Sequence, residues 1–384
     1  MSIYRTVDLN AVRPIMEHLQ SEALALILEG ERPCEIYVDR LQDPRSVMIW
    51  DKNRTFYCAG DAEQRSFTKA LASVLLEHCF PMMNRSNKLD FVFCYAGLEW
   101  EARIQNDMIP DRRLAKLDRR YYIIDPEVHR SITVSIPEGF TIEPFTEKLF
   151  HQLLPEQRQL AADMLEENQI TCEHWMMGNR FGYCVLDENQ VIVSACLTDF
   201  VHGDICELGI ETDENDRRKG FGTAVAHATA AHAFRIGIHS VGWDCWDDNV
   251  GSFRTVERIG GRLVRQYTVL TGWFNSFDHR LVQAYRDWTN EEYDYAATQY
   301  EEALTRYALH AEEDLEVKSS YMLTNIPLGW FNFNAARAQA RVGEISKAIS
   351  YLQEAIRSGW ISQEKAMEEE SFQSIKQDLC VKTD

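Results

Sequence analysis

The sequence predicts an α+β protein: a mixed sheet flanked by helices, followed by an all-helical region. Three observations carry that prediction. After residue 138 the apolar pattern runs antiparallel hairpin, strand, loop, helix, strand, short helix, strand, an order that builds a mixed sheet. From about Asp278 onward the period-2 signal disappears and only helical spacing remains. The chain has 384 residues, too many for one ordinary core, so two or three domains are expected.

Residues 12–28 have the apolar spacing of a helix. Ser46–Trp50 and residues 55–58 read as a hairpin about the turn Asp51-Lys52-Asn53. Residues 67–79 read as a helix broken by Phe80-Pro81. Residues 89–103 read as a long strand, or as a hairpin with a bulge near Gly97. These elements make residues 1–130 an N-terminal α/β domain. Pro137, Gly139 and Pro144 mark a boundary between 131 and 145.

The second domain, 138–275, holds a hairpin of 181–186 and 191–200, a strand Ile205–Thr212 and a helix over 220–236. A strand over 239–246, a short helix over 251–259 and a final strand over 262–270 complete it. The third, 278–384, is helical. Ala296, Tyr300 and Ala303 are spaced four then three, and Ala348, Leu352 and Ala355 repeat that spacing 52 residues later. Small residues so placed let helices approach closely. With a helix over 334–342 and the turn residue Gly343, the second group forms a helical hairpin similar to a tetratricopeptide (TPR) repeat. The offset departs from the usual period of about 34 residues, so the region is a degenerate repeat pair or a plain helical cap.

Composition narrows the function classes. Hydrophobic residues are 45% and charged residues 26%, the balance of a soluble globular protein. There is no membrane-length apolar run and no apolar leader at the N-terminus, and the ten cysteines show no CxxC or Cys/His spacing. A cytoplasmic protein with reduced thiols and no metal is expected. The net charge of −20 argues against a nucleic-acid partner. It suits a cationic ligand, and equally suits plain solubility.

The sharpest motif joins the Ile205–Thr212 strand to the next helix: Arg217-Arg218-Lys219-Gly220-Phe221-Gly222-Thr223 after an acidic loop. Exposed N–H groups at a helix start attract phosphate oxygens. Gly220 and Gly222 let the backbone approach a ligand, and the three cations add charge-assisted donors. Val225 stands where a dinucleotide fingerprint needs its third glycine, and no Walker sequence is present. The spacing is R-x-x-G-x-G, which resembles the pyrophosphate motif of the GNAT acetyltransferase family. Downstream, Trp243-Asp244-Cys245-Trp246, Asn249, Ser252 and the Arg258-to-Gly260 turn are similar to that family's second strand, N-x-x-[AS] motif and following turn.

The resemblance implies acetyl-CoA as co-substrate, held between two splayed parallel strands, Ile205–Thr212 and residues 241–246. It implies pantetheine contacts from the backbone of Ile210 and Thr212, pyrophosphate contacts from Arg217 to Thr223, and Asn249 and Ser252 near the thiol end or the pantetheine. The chain is further similar to the subgroup of zwittermicin A resistance acetyltransferases, in which a degenerate GNAT half precedes the active one. Residues 1–130 are either such a half, without acetyl-CoA, or a structural extension. The implied reaction is acetylation of a primary amine on a small cationic molecule, such as an amine-bearing antibiotic. A protein or peptide acceptor recruited by the helical tail, or a non-catalytic acetyl-CoA-binding scaffold, are the alternatives; the tail is also a candidate for self-association.

Such a transfer needs a base for the ammonium, an oxyanion donor and a proton for the thiolate. Glu207 and Glu211 are the candidate bases, on one face of the strand at even spacing; either can instead hold a basic loop residue. Asp244 is a third choice. Backbone N–H groups of 207–212 are expected to meet the oxyanion. The resemblance places Val256 where many relatives carry a tyrosine acid, and Gly261 where a phenylalanine is usual. Either another group then protonates the thiolate or it leaves unassisted into solvent; Cys245 is a candidate donor or a buried structural thiol, and Ser252 a second candidate. His227 and His232 read as packing or surface residues, residues 174–177 as acceptor-pocket lining or helix core, and Trp330 and Phe331 as core of the tail.

Overall fold

The computed structural model describes residues 3–85, 88–167 and 170–375. The strands are β1 (Tyr4–Thr6), β2 (Glu35–Val38), β3 (Ser46–Trp50), β4 (Thr55–Gly60), β5 (Asp90–Tyr95), β6 (Ala115–Ile124), β7 (Thr141–Pro144), β8 (Gly182–Leu186), β9 (Ile192–His202), β10 (Ile205–Thr212), β11 (Ser240–Trp246) and β12 (Gly261–Trp273). The chain forms two compact units, Met1–Ala115 with Leu270–Asp384, and Lys116–Val269. This differs from the three consecutive domains expected. The helical tail shares a unit with the N-terminal region, and nearly all of β6, expected within 1–130, belongs to the other.

In the first unit β1 to β4 form an antiparallel meander, with Thr6 opposite Ile36, Ile36 opposite Ile49, and Ile49 opposite Tyr57. β4 then runs parallel to β5 from Thr55↔Val92 to Cys58↔Tyr95. The end of β12 adds antiparallel to β5, Leu270 opposite Phe93. Trp50, Phe56, Phe91, Phe93 and Trp100 form the centre of its largest core.

Three local expectations are corrected here. Residues 12–28 are two helices, Leu9–Met16 and Glu22–Leu28, because Ser21 caps the second through the Leu24 N–H. Pro81 does not end its helix. The Phe80 N–H bonds to the Leu75 carbonyl, a widened turn after which the chain continues helical over Phe80–Arg85. Residues 89–103 are neither long strand nor hairpin: β5 ends at Tyr95, and Gly97, at φ 91°, starts the helix Leu98–Arg103.

The tail is helical, as its spacing predicts. Ala296, Tyr300 and Ala303 pack with Phe331 and Ala335, while Ala348 and Leu352 pack with Ala336 and Phe372. His279 ties it to the N-terminal region, its Nδ1 accepting from the Trp273 N–H at 3.2 Å and its Nε2 lying 2.9 Å from the Arg113 carbonyl. Arg113 also pairs with Asp287 at 3.4 Å. No helix among the described residues is long and apolar enough to cross a membrane.

The second unit repeats the pairing order of the first. β7, β8, β9 and β10 are successively antiparallel, β10 runs parallel to β11, and an antiparallel strand, here β6, adds beyond it.

Candidate active site

The site begins where two parallel strands part. β10 and β11 pair only at Ile205↔Ser240, Cys206↔Val241 and Glu207↔Gly242. Beyond that rung β10 follows β9 as far as Thr212↔Ser194, with a register shift between Glu207 and Leu208. β11 instead follows β6 as far as Trp246↔Arg119. The result is a wedge between 208–212 and 243–246. Its facing backbone edges are offered to a ligand with amide groups of its own.

The open end of the wedge meets the helix Phe221–Arg235. Gly220 precedes it at φ 90° and brings no side chain to cap the first turn, so the first N–H groups point outward with the positive end of the helix dipole. A Cβ on Gly222 would stand 3.3 Å from both Ile210 Cδ1 and Thr212 Oγ1, so the helix start lies directly against the end of β10. The three cations of the loop are exposed. Arg217 donates to the Thr212 carbonyl at 3.2 Å and to Glu211 Oε1 at 3.2 Å, and Lys219 pairs with Asp216 at 2.7 Å. Thr212 Oγ1 lies 2.8 Å from Ser194 Oγ.

The two faces of the wedge differ. On one, Cys206, Leu208, Trp243 and Cys245 enter a core with Phe221, Phe253 and Val256. Burial pushes the Cys245 thiol up to about 11, partly opposed by the Ser252 hydroxyl; at neutral pH it stays protonated and packed. Ser252 Oγ also accepts from the Trp243 indole at 3.0 Å, and Asn249 Oδ1 caps its own helix through the Ser252 N–H at 3.0 Å. Both side chains are thus engaged in holding the start of the helix Val250–Arg258. Val256 is fully buried.

The other face carries Glu207, Gly209 and Glu211 of β10 and Gly242, Asp244 and Trp246 of β11. Glu207 is half-buried at the last common rung, whereas Glu211 is exposed and held by Arg217. The Asp199 carboxylate lies where a Gly209 side chain would be. Asp244 accepts from Arg119 Nε at 2.9 Å and from the Tyr267 hydroxyl. Arg119 also stacks on Trp246, and Arg265 on Tyr121, at 4.2 and 4.1 Å from the ring centroids.

The two histidines of the helix Phe221–Arg235 are packed: His227 stacks on His129 at 4.1 Å and His232 on Phe181 at 4.9 Å. Trp175 is core, its indole donating to the Thr198 carbonyl at 2.9 Å, while Met177 is exposed. Phe331 is buried in the tail. Arg119, Tyr121, Asp199 and Tyr267 have no counterpart among the sequence candidates. All but Asp199 come from β6 or β12, whose approach to β11 no local pattern announces; the run of two arginines and two tyrosines in β6, Arg119 to Tyr122, was the available signal.

The sequence model of the GNAT acetyltransferase family matches residues 13–270. An uncharacterized N-acetyltransferase, YdfB, of Bacillus subtilis (strain 168) is 24% identical over 243 residues, 63% of this chain and 87% of its own. A GCN5-related N-acetyltransferase-like protein from Streptococcus suis superposes with a TM-score of 0.51 at 19% identity, covering 69% of this chain and 98% of its own. One from Sphaerobacter thermophilus gives 0.46 at 12%, covering 71% and 96%.

Proposed function

Because the chain belongs to the GNAT acetyltransferase family and is an N-acetyltransferase, we propose that acetyl-CoA binds in the β10/β11 wedge and gives its acetyl group to the primary amine of a small cationic molecule. The observation that carries the site is the parting of β10 and β11 after Glu207↔Gly242, directly against an uncapped, glycine-led helix start. The pantetheine amides pair with the edge of β10 around Ile210 and Thr212. The pyrophosphate lies on the N–H groups that follow Gly220, with Arg217, Arg218 and Lys219 beside it. The family uses acetyl-CoA, and no metal has a part in this scheme.

Glu207 is the base we favour. It stands at the closed end of the wedge, where the thioester carbonyl arrives, and it is half-buried. Glu211, exposed and paired with Arg217, supports the phosphate loop instead. The net charge of −20 favours a cationic acceptor. An amine-bearing antibiotic, as in the zwittermicin-type subgroup, is the first class to try, in a cytoplasmic setting. The degenerate-half reading of the N-terminal region draws support from the repeated pairing order. There the β4–β5 pairing ends where β5 ends, at Tyr95, and the buried Trp100 donates to the Gly60 carbonyl at 2.9 Å; the region has no R-x-x-G-x-G sequence, so acetyl-CoA is not expected there. The TPR-like tail would serve a protein partner or self-association.

The test is a melting experiment followed by a panel. Acetyl-CoA at a hundred times its dissociation constant should stabilise the protein by about 2.7 kcal/mol; no shift at millimolar concentration sinks the proposal. Release of CoA is then followed with kanamycin, spermidine and a lysine-containing peptide. Activity confined to the peptide would replace the small-molecule reading.

A further inference from the structure

We propose that the Tyr121 hydroxyl gives the proton to the departing CoA sulfur, the role that Val256 leaves open. The inference rests on acetyl-CoA lying in the wedge as just described.

Four observations place the hydroxyl there. Tyr121 stands opposite Asp244 in the β6–β11 ladder, so its ring lies on the Glu207 face of the sheet and reaches diagonally back toward Gly242. A Cβ on Gly242 would overlap the Tyr121 hydroxyl. A glycine inside a strand costs stability and marks a close approach; here what approaches is the phenol. Gly242 is in turn the partner of Glu207 at the last rung before the strands part. The phenol oxygen and the Glu207 carboxylate therefore flank one rung, on one face, at the closed end of the wedge. Finally, the Arg265 guanidinium stacked on the Tyr121 ring fixes its orientation and meets negative charge that develops on it. Val256 lies on the opposite face, in the core with Trp243 and Cys245. The hydroxyl thus stands over the last common rung, on the face opposite Val256.

The step balances as follows. Glu207 takes one proton from the acceptor ammonium. The freed nitrogen lone pair forms the C–N bond to the thioester carbon. As the tetrahedral adduct collapses, the C–S bond breaks and its electron pair leaves with sulfur, which takes the Tyr121 proton. The phenolate recovers a proton from the nitrogen as the amide forms. The products are the acetamide, CoA thiol and the one proton held by Glu207.

The test needs no knowledge of the acceptor. A hydroxyl that donates to sulfur stabilises the thiolate, so it lowers the pKa of bound CoA. That pKa is read from the ultraviolet absorbance of the thiolate on the protein, with desulfo-CoA as the blank. Tyr121→Phe keeps the ring and its Arg265 contact. The expected result is a bound-thiol pKa about one unit higher in Tyr121→Phe than in the wild type, with CoA affinity at neutral pH little changed. Gly242→Ala, which displaces the hydroxyl, should raise it too and serves if Tyr121→Phe does not fold. Unchanged titration in whichever variant binds CoA overturns the proposal. Failure of the wild type to bind CoA overturns the wedge itself, a result distinct from binding with an unaltered thiol.

Discussion

At the scale of single residues, the carboxylates of the wedge separate by what surrounds them. Glu207 is half-buried at the closed end, while Glu211 is exposed and salt-bridged to Arg217. Glu207→Gln should lower the acetylation rate by about 10²–10⁴ and remove the acidic limb of its pH profile; Glu211→Gln should act on the acetyl-CoA KM instead. An unaltered profile in Glu207→Gln would reject it as base. Cys245 is a buried thiol pushed up to about 11, so Cys245→Ala should cost about 1 kcal/mol of stability and little activity. His279 gives a pH signature. Burial and Arg112 hold it down to about 3, whereas in the unfolded chain it titrates near 6.5. Below pH 6.5 the unfolded state takes up a proton that the folded state refuses until about pH 3. Stability is therefore complete above that window and falls through it by about 1.4 kcal/mol per pH unit. A pH series of melting curves should show His279→Gln with a shallower acid slope than the wild type; parallel slopes would refute the assignment.

At the scale of elements, the phosphate loop was legible and the strand beside the site was not. Arg217 to Gly222 is a local pattern, and the helix it announces does begin at Phe221. Gly220 has the left-handed backbone expected of a glycine before a helix, with open space around it. Gly220→Ala should cost about 1 kcal/mol through the backbone alone. Gly222→Leu should abolish the acetyl-CoA melting shift by pressing on Ile210 and Thr212; a shift that persists would put the phosphates elsewhere. β6 escaped because its partner is remote: Tyr121 meets Asp244 across more than a hundred residues of chain. The charged and aromatic side chains of β6 also blur its alternation. Pro81 misled for a different reason, since a widened turn absorbs the missing N–H. Leu98–Arg103 read as strand because a short helix of mixed apolar and charged residues gives no clear period.

At the scale of the molecule, the fold class was legible from the order of elements, but the grouping of the chain was not. The tail's amphipathic spacing says that it packs, not on what. It packs within the N-terminal unit, through His279 on the Arg113 carbonyl and Asp287 on the Arg113 guanidinium. A chain ending at residue 275 should lose the cooperative melt of that unit and become sensitive to trypsin within residues 1–115. A truncated chain that melts and resists protease like the whole protein would show the tail to be dispensable.

β12 gives this architecture a consequence for synthesis. Its last residues complete the sheet of the N-terminal unit by pairing with β5, Leu270 with Phe93. A chain emerging from the ribosome can form the meander of β1 to β4 early. Its edge at β5 stays open until the whole intervening sequence has been translated, so the N-terminal region cannot finish folding ahead of the rest. Nascent chains arrested before residue 270 would therefore carry an unpaired strand edge, the state that chaperones cover and in which aggregation begins.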